Sequence, residues 1–136
     1  KEEQIITAAC GEGIVRYDGI QTGTSKKEIF ASSSVFLFPT YFESESFPTV
    51  ILEAFSASLP VIATNWRGIP DQVTHERNGY LFNLHDTAGM ASCILQLASD
   101  TNLYQHLSSH ARHNFETKYT MSTFENSIVS FFKTNA

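Results

Sequence analysis

Cysteine is almost missing from this chain. Cys10 and Cys93 are the only two, too few for a disulfide framework and without CxxC or metal-type spacing. They read as reduced, buried thiols of a cytosolic protein. No apolar run approaches the roughly 18 residues that a membrane span needs, and no signal peptide opens the sequence. Blocks of like charge are lacking too. Nine Lys and Arg stand against fourteen Asp and Glu, a formal net charge of −5 spread along the chain. That balance argues against nucleic acid or an anionic membrane as the main partner. There are no internal repeats and no low-complexity linkers. What remains is an ordinary globular composition, in a length that gives one domain a real core and hardly two. The first residue is Lys1 rather than Met, so the chain is expected to be a piece of something longer.

Two short runs are wholly apolar: residues 35–38, closed by Pro39, and residues 61–63, opened by Pro60. Neither alternates polar with apolar, which is the pattern of strands covered on both faces of a parallel sheet. Weaker strands are expected at 14–17 and, after the Asn78-Gly79 turn, at 80–82. Helices are expected at 2–9, at 25–32 with Thr24 or Ser25 as cap, at 48–58, and as a short turn at 70–74. From there the chain reads as helix in three pieces, 86–98, 101–119 and 122–133. Leu103, Leu107, Ala111 and Phe115 recur every four residues and give the middle piece an apolar stripe. The expected fold class is α/β: a Rossmann-like parallel sheet of about four strands, helices on both faces and a helical C-terminal tail.

Chemistry concentrates in Glu43-Ser-Glu-Ser-Phe-Pro-Thr-Val-Ile-Leu-Glu53-Ala-Phe. Pro48 suits a first helical turn, where its missing N–H costs nothing. The free N–H groups of that turn, with the positive end of the helix dipole, favour an anion such as phosphate. Val50, Ile51, Leu52, Ala54 and Phe55 surround Glu53, so most of this helix is expected to be covered. A buried carboxylate costs several kcal/mol unless it is paired, so Glu53 needs a protein or ligand partner. Thr49 and Glu53 share one face, and both lean toward the helix start. In open parallel sheets ligands bind beyond the carboxyl ends of the strands, which puts loops 41–49 and 65–70 at the site.

These residues resemble the signature of retaining, GT-B-fold glycosyltransferases of family 4. The pattern is two glutamates with seven residues between them, Glu45 and Glu53, within Glu-Ser-Phe-Pro-Thr-Val-Ile-Leu-Glu-Ala. Its flanks are similar as well: the apolar run ending at Pro39, then Leu59-Pro-Val-Ile-Ala-Thr64, Gly68-Ile-Pro-Asp71 and Asn78-Gly-Tyr-Leu-Phe82. The ordered blocks cover residues 14–82, and the helical tail is compatible with the family.

The resemblance implies that residues 1–136 are the later part of a C-terminal, donor-binding, Rossmann-like domain. Glu45 would contact the transferred sugar and steady charge at its anomeric carbon. Ser46, Phe47, Pro48, Thr49 and Val50 would surround the diphosphate, with backbone N–H groups near Phe47, Thr49 and Val50 as donors. Glu53 would accept hydrogen bonds from the ribose hydroxyls, and 65–68, with Arg67 and Gly68, would form a wall. The resemblance implies a UDP- or GDP-type nucleotide-sugar as donor, a glycan or lipid-linked acceptor, no resident cofactor and no bound metal. It also implies a cytoplasmic location, peripheral to the inner membrane face through the full-length enzyme. Retention by a front-face path makes the task orientation and charge stabilisation.

Three departures qualify that picture. The Arg and Lys that the family draws from earlier in this domain, its first strands and the acceptor-binding N-terminal domain have no match here. Arg67 is the one nearby cation to nominate. Ser58 occupies a helix end where the family favours Gly. The chain alone is therefore expected to be inactive.

Other readings of the same residues stay open. A non-catalytic α/β module binding a nucleotide or protein partner is the main alternative, and a self-associating remnant is a third. Sugar transfer requires Glu45 and Glu53 to face one open crevice, whereas an interaction module would pair Glu53 internally. His106, His110 and His113 superficially resemble metal ligands, yet lack a carboxylate or thiol motif and read as a solvated face. Trp66 suits stacking on a ligand or lining the loop equally. Phe131 and Phe132 are expected to pack on the domain.

Overall fold

The computed structural model of the protein describes residues 15–134. In chain order these are α1 (Gly23–Ser32), β1 (Phe36–Phe38), α2 (Thr49–Ser56), β2 (Val61–Thr64), α3 (Ile69–Gln72), β3 (Gly79–Phe82), α4 (Thr87–Ser99), α5 (Thr101–Lys118) and α6 (Met121–Thr134). The three strands form one parallel sheet in the order β1-β2-β3. Phe36 aligns with Val61, and Val61 with Gly79. Gly79 permits this register, because a Cβ there would overlap the Val61 carbonyl.

Alternation along β2 divides the core. Val61 and Ala63 point to one layer, where they meet Ile51, Ala54 and Phe55 of α2, Ile69 of α3 and Ala111 of α5. Ile62 points to the other, with Tyr80, Met90, Cys93 and Leu97, and with Leu107 of α5. On α2 the three fully buried residues recur at i, i+3 and i+4, one face of a helix. Each large side chain among them contributes about 1.5–3 kcal/mol through burial. The four-residue stripe of α5 behaves as its spacing predicts, with Leu107 and Ala111 fully buried and Leu103 and Phe115 half-buried. Aspartates cap α4 and α5: Asp86 accepts from the Gly89 N–H and Asp100 from the Leu103 N–H, both at 2.9 Å.

Several expectations need correction. The sheet has three strands among the described residues, not four. Val15 to Tyr17 is irregular and exposed, with Tyr17 at 70%. A three-residue stretch needs a ladder partner to become a strand, and β1 pairs only with β2 among the described residues. Ile14, Cys10 and the expected helix at 2–9 lie outside the described residues. α1 begins two residues before the predicted start, at Gly23, with Thr22 rather than Thr24 or Ser25 in the cap position. α6 buries none of its residues, and Phe131 and Phe132 stay largely exposed rather than joining the core. Their rings instead meet edge to face at 5.6 Å.

The end of α2 is a Schellman motif. The Leu59 N–H donates to the Ala54 carbonyl at 2.9 Å and the Ser58 N–H to the Phe55 carbonyl at 3.0 Å. The motif requires a left-handed residue, and Ser58 fills it at φ +63°. A side chain in that conformation costs about 1–2 kcal/mol relative to glycine. Ser58→Gly should therefore raise unfolding stability by about 1 kcal/mol after the added flexibility of the unfolded chain is subtracted. Urea denaturation checks this, and a destabilised variant would show that the Ser58 side chain has a favourable role.

Cys93 lies in the second core layer, and burial pushes its thiol up to about 11. An unfolded thiol ionises near pH 9, about two units earlier. The stability gained by keeping the neutral thiol buried is complete below that pH and is lost as pH rises through about 11. Urea midpoints followed from pH 8 to 11 should fall more steeply for the native chain than for Cys93→Ala; parallel slopes would assign the alkaline loss to other groups.

Candidate functional site

Beyond the carboxyl end of β1 the chain runs as an exposed loop into α2, and three ties from the β2–α3 connection hold that loop. The Thr64 hydroxyl donates to the Thr40 carbonyl at 2.5 Å. The Trp66 indole N–H donates to the Phe42 carbonyl at 2.9 Å. Gly68 lies so close to Ser46 that a Cβ would overlap the Ser46 carbonyl. Trp66 is thereby committed to lining the loop. Arg67 follows in a left-handed conformation, φ +50°, with its guanidinium 5.0 Å from the centre of the Trp66 ring.

The held loop delivers an uncapped helix start. Pro48 occupies the cap position, just ahead of the helix it was expected to begin, and offers no side-chain acceptor. The Ile51 N–H donates to the Pro48 carbonyl at 3.1 Å, while the Thr49 and Val50 N–H groups have no acceptor among the described residues. Thr49 is exposed and Val50 half-buried. Two unpaired N–H groups at the positive pole of a helix are an anion-binding arrangement. Ser46 and Phe47 are exposed beside it, and the Phe47 ring meets Tyr119 edge-on at 6.2 Å. Burial and then the nearby Asp71 carboxylate push the Tyr119 phenol up, so it stays a neutral hydrogen-bond donor. Glu45 is half-buried; its N–H donates to the Phe42 carbonyl at 3.1 Å, and its carboxylate has no partner among the described residues.

Glu53 departs from the expected enclosure. Its side chain is 45% exposed, because it stands at the rim of the covered face of α2. The partner it needs is Lys26 of α1, whose ammonium lies 2.9 Å from Oε1 in hydrogen-bonding geometry. The same nitrogen is 2.6 Å from Oε2. That second contact is ionic, so both carboxylate oxygens face the Lys26 ammonium. The pair borders an open cleft of about 420 Å³ between α1 and α2, walled also by Phe30, Ser56 and Ala57. This volume falls within the range of small-molecule sites.

The structure thus gathers Ser46, Phe47, Pro48, Thr49, Val50 and Gly68 around the helix start. Glu53 faces the α1–α2 cleft one turn further on, and Glu45 is not among the walls of that cleft. Sequence reasoning missed Lys26. It precedes Glu53 by 27 residues, and only the packing of α1 beside α2 brings them together. Its one local signal is Phe30, a turn later on the same face, which packs against the core. The roles of Thr64 and Gly68 as ties were equally hidden, since both depend on contacts across loops. Among the described residues no three His, Cys, Asp or Glu side chains come together as metal ligands. No described helix is long and apolar enough to cross a membrane.

Comparison with known proteins agrees with this architecture. The chain is 34% identical over 102 residues to the N-acetyl-alpha-D-glucosaminyl L-malate synthase of Bacillus anthracis, covering 72% of this chain and 26% of that protein. It is 32% identical over 103 residues to the sulfoquinovosyl transferase SQD2 of Arabidopsis thaliana, covering 74% of this chain and 20% of the relative. The matched region therefore spans about a fifth to a quarter of the length of these curated relatives. In three dimensions it resembles Anabaena HepE, crystallised with UDP: TM-score 0.85, 22% identity, 98% of this chain and 36% of HepE. That likeness shows the Rossmann-like fold. The sequence model described as glycosyl transferases group 1 matches residues 2–100. The chain belongs to the group 1 glycosyl transferase family.

Proposed function

We propose that this chain is the donor-binding part, the later portion of the C-terminal domain, of a retaining GT-B glycosyltransferase of family 4. The observation that carries the reading is the uncapped start of α2, with the Thr49 and Val50 N–H groups free and a glutamate held only by a half-exposed ion pair one turn along. The N–H groups take the diphosphate of a nucleotide-sugar, and the helix dipole offsets its charge. Glu53 accepts from the ribose hydroxyls. Its pair with Lys26 does not block this role, because an ion pair this exposed is worth only about 0–1 kcal/mol and opens at small cost. Once displaced, the Lys26 ammonium is free to turn toward the bound diphosphate. It stands in for part of the basic segment that the resemblance leaves unmatched. Arg67 and Gly68 form the opposite wall.

Glu45 projects from the loop held by Thr64, Trp66 and Gly68, and it contacts the transferred sugar. In a front-face reaction the leaving phosphate accepts the proton of the acceptor hydroxyl, the anomeric carbon–phosphate bond breaks, and the new glycosidic bond forms on the same face. The protein supplies orientation and charge stabilisation. The reading includes no resident cofactor and no bound metal. HepE binds UDP and, in a second crystal structure, UDP-glucose, which supports a nucleoside diphosphate sugar as donor here. The acceptor, a glycan or lipid-linked, engages through the rest of the full-length enzyme on the cytoplasmic side of the membrane.

One observation favours a second reading. Glu53 is paired within the chain and does not share its cleft with Glu45, as a non-catalytic nucleotide- or partner-binding module would have it.

Calorimetric titration with UDP, GDP and their sugar conjugates separates the two. Donor binding is expected with Kd near about 1 mM, weakened about tenfold or more by Glu53→Gln, which removes a charged hydrogen-bond acceptor. Unchanged affinity in that variant would sink the ribose assignment and leave the interaction module standing. Gly68→Ala tests the loop independently. Forcing the Ser46 carbonyl away should lower stability by about 1–3 kcal/mol and also weaken UDP binding. A variant that is less stable but binds normally would detach the 45–48 loop from the donor site.

A further inference from the structure

A second polar recess lies on the flank of the domain, between the 74–78 loop and the C-terminal half of α5. It shares no residue with the Glu53 cleft. Its floor is rigid. Asn78 is buried, with its Oδ1 accepting from the Thr74 N–H at 2.7 Å and its Nδ2 donating to the Gln72 carbonyl at 3.1 Å. Asn114 of α5 reaches the same carbonyl at 3.5 Å, which ties the helix to the loop.

On this floor stand Arg77, His110, His113 and Lys118, and no carboxylate lines the recess. That is unusual in a chain where Asp and Glu outnumber Lys and Arg fourteen to nine. The side chains of Arg77, His113 and Lys118 have no hydrogen-bond or ion-pair partner among the described residues. His110 engages one ring nitrogen, with Nδ1 2.8 Å from the His106 carbonyl, and its Nε2 remains unengaged. The acids nearest in sequence do not neutralise the group: Glu116 is bound to Arg112 at 2.7 Å, and Glu76 is outside the lining. Lys118 stands at the negative pole of α5, where its ammonium offsets that pole's repulsion of an anion.

We propose that this recess is a binding site for a tetrahedral oxyanion, a phosphate or sulfate group, either free or as a monoester on a larger molecule. Arg77 supplies the planar fork suited to such a group, and Lys118 and His113 supply point donors around it. Its volume, about 90 Å³, holds about three water-sized groups. That suits a small anion, and the site is distinct from donor binding because it shares no lining residue with the Glu53 cleft.

The test is titration of the full chain with inorganic phosphate at constant ionic strength, read by NMR on the histidine side-chain nitrogens. Saturable shifts of His113 are expected with Kd of about 1 mM, weakened about tenfold in Arg77→Gln. Lys118→Gln provides a second variant should the first fail to fold. Glu53→Gln should leave the titration unchanged, which keeps this result independent of the donor assignment. Methyl phosphate binding more tightly than inorganic phosphate assigns the site to a monoester, and equal binding assigns it to the free anion. A response matched by chloride, or one that survives loss of both cations, overturns the proposal.

Discussion

The structure hangs on the complete burial of β2. Val61, Ile62, Ala63 and Thr64 are all shut from water, and their side chains alternate into two separate core layers. A strand covered on both faces tolerates neither a slip in register nor an unpaired backbone group, so its neighbours are fixed by it. Phe36–Phe38 pairs on one edge and Gly79–Phe82 on the other. The last residue of the strand then turns inward rigidity outward. Thr64 uses its hydroxyl to hold Thr40, and the chain that follows holds Phe42 and Ser46. The loop that carries Glu45 is exposed along most of its length, yet its path is set by the most buried strand in the molecule.

Electrostatics in the candidate site is arranged differently from packing. The start of α2 leaves donors unpaired, and the ion pair that ties Glu53 to α1 is weak because water reaches it. Such a site is cheap to reorganise. A tightly enclosed Glu53 would bind more rigidly, but replacing its partner would cost several kcal/mol. Half-exposure is thus compatible with a carboxylate that exchanges an internal cation for a ligand hydroxyl. The same logic explains why the strongest ties, hydrogen bonds to buried or half-buried groups, hold the loops rather than the groups proposed to touch ligand.

The sequence alone determined the α/β class, the three strands, the helical tail and the stretch from Glu45 to Glu53. These are legible because burial on both faces writes a continuous apolar run, and because Pro, Gly and Asp mark ends by local backbone geometry. The left-handed turn at Ser58 was legible only through the family resemblance, which favours Gly there. Tertiary structure alone decided which charge answers Glu53, that the 15–17 segment pairs with no strand among the described residues, and that α6 buries none of its side chains. It also brought Arg77 beside Lys118 and Gly68 against Ser46. The physical reason is range. Helix caps, turns and strand patterns depend on residues a few positions apart, whereas ion pairs, staples and coverage depend on how whole elements pack, which no local pattern specifies.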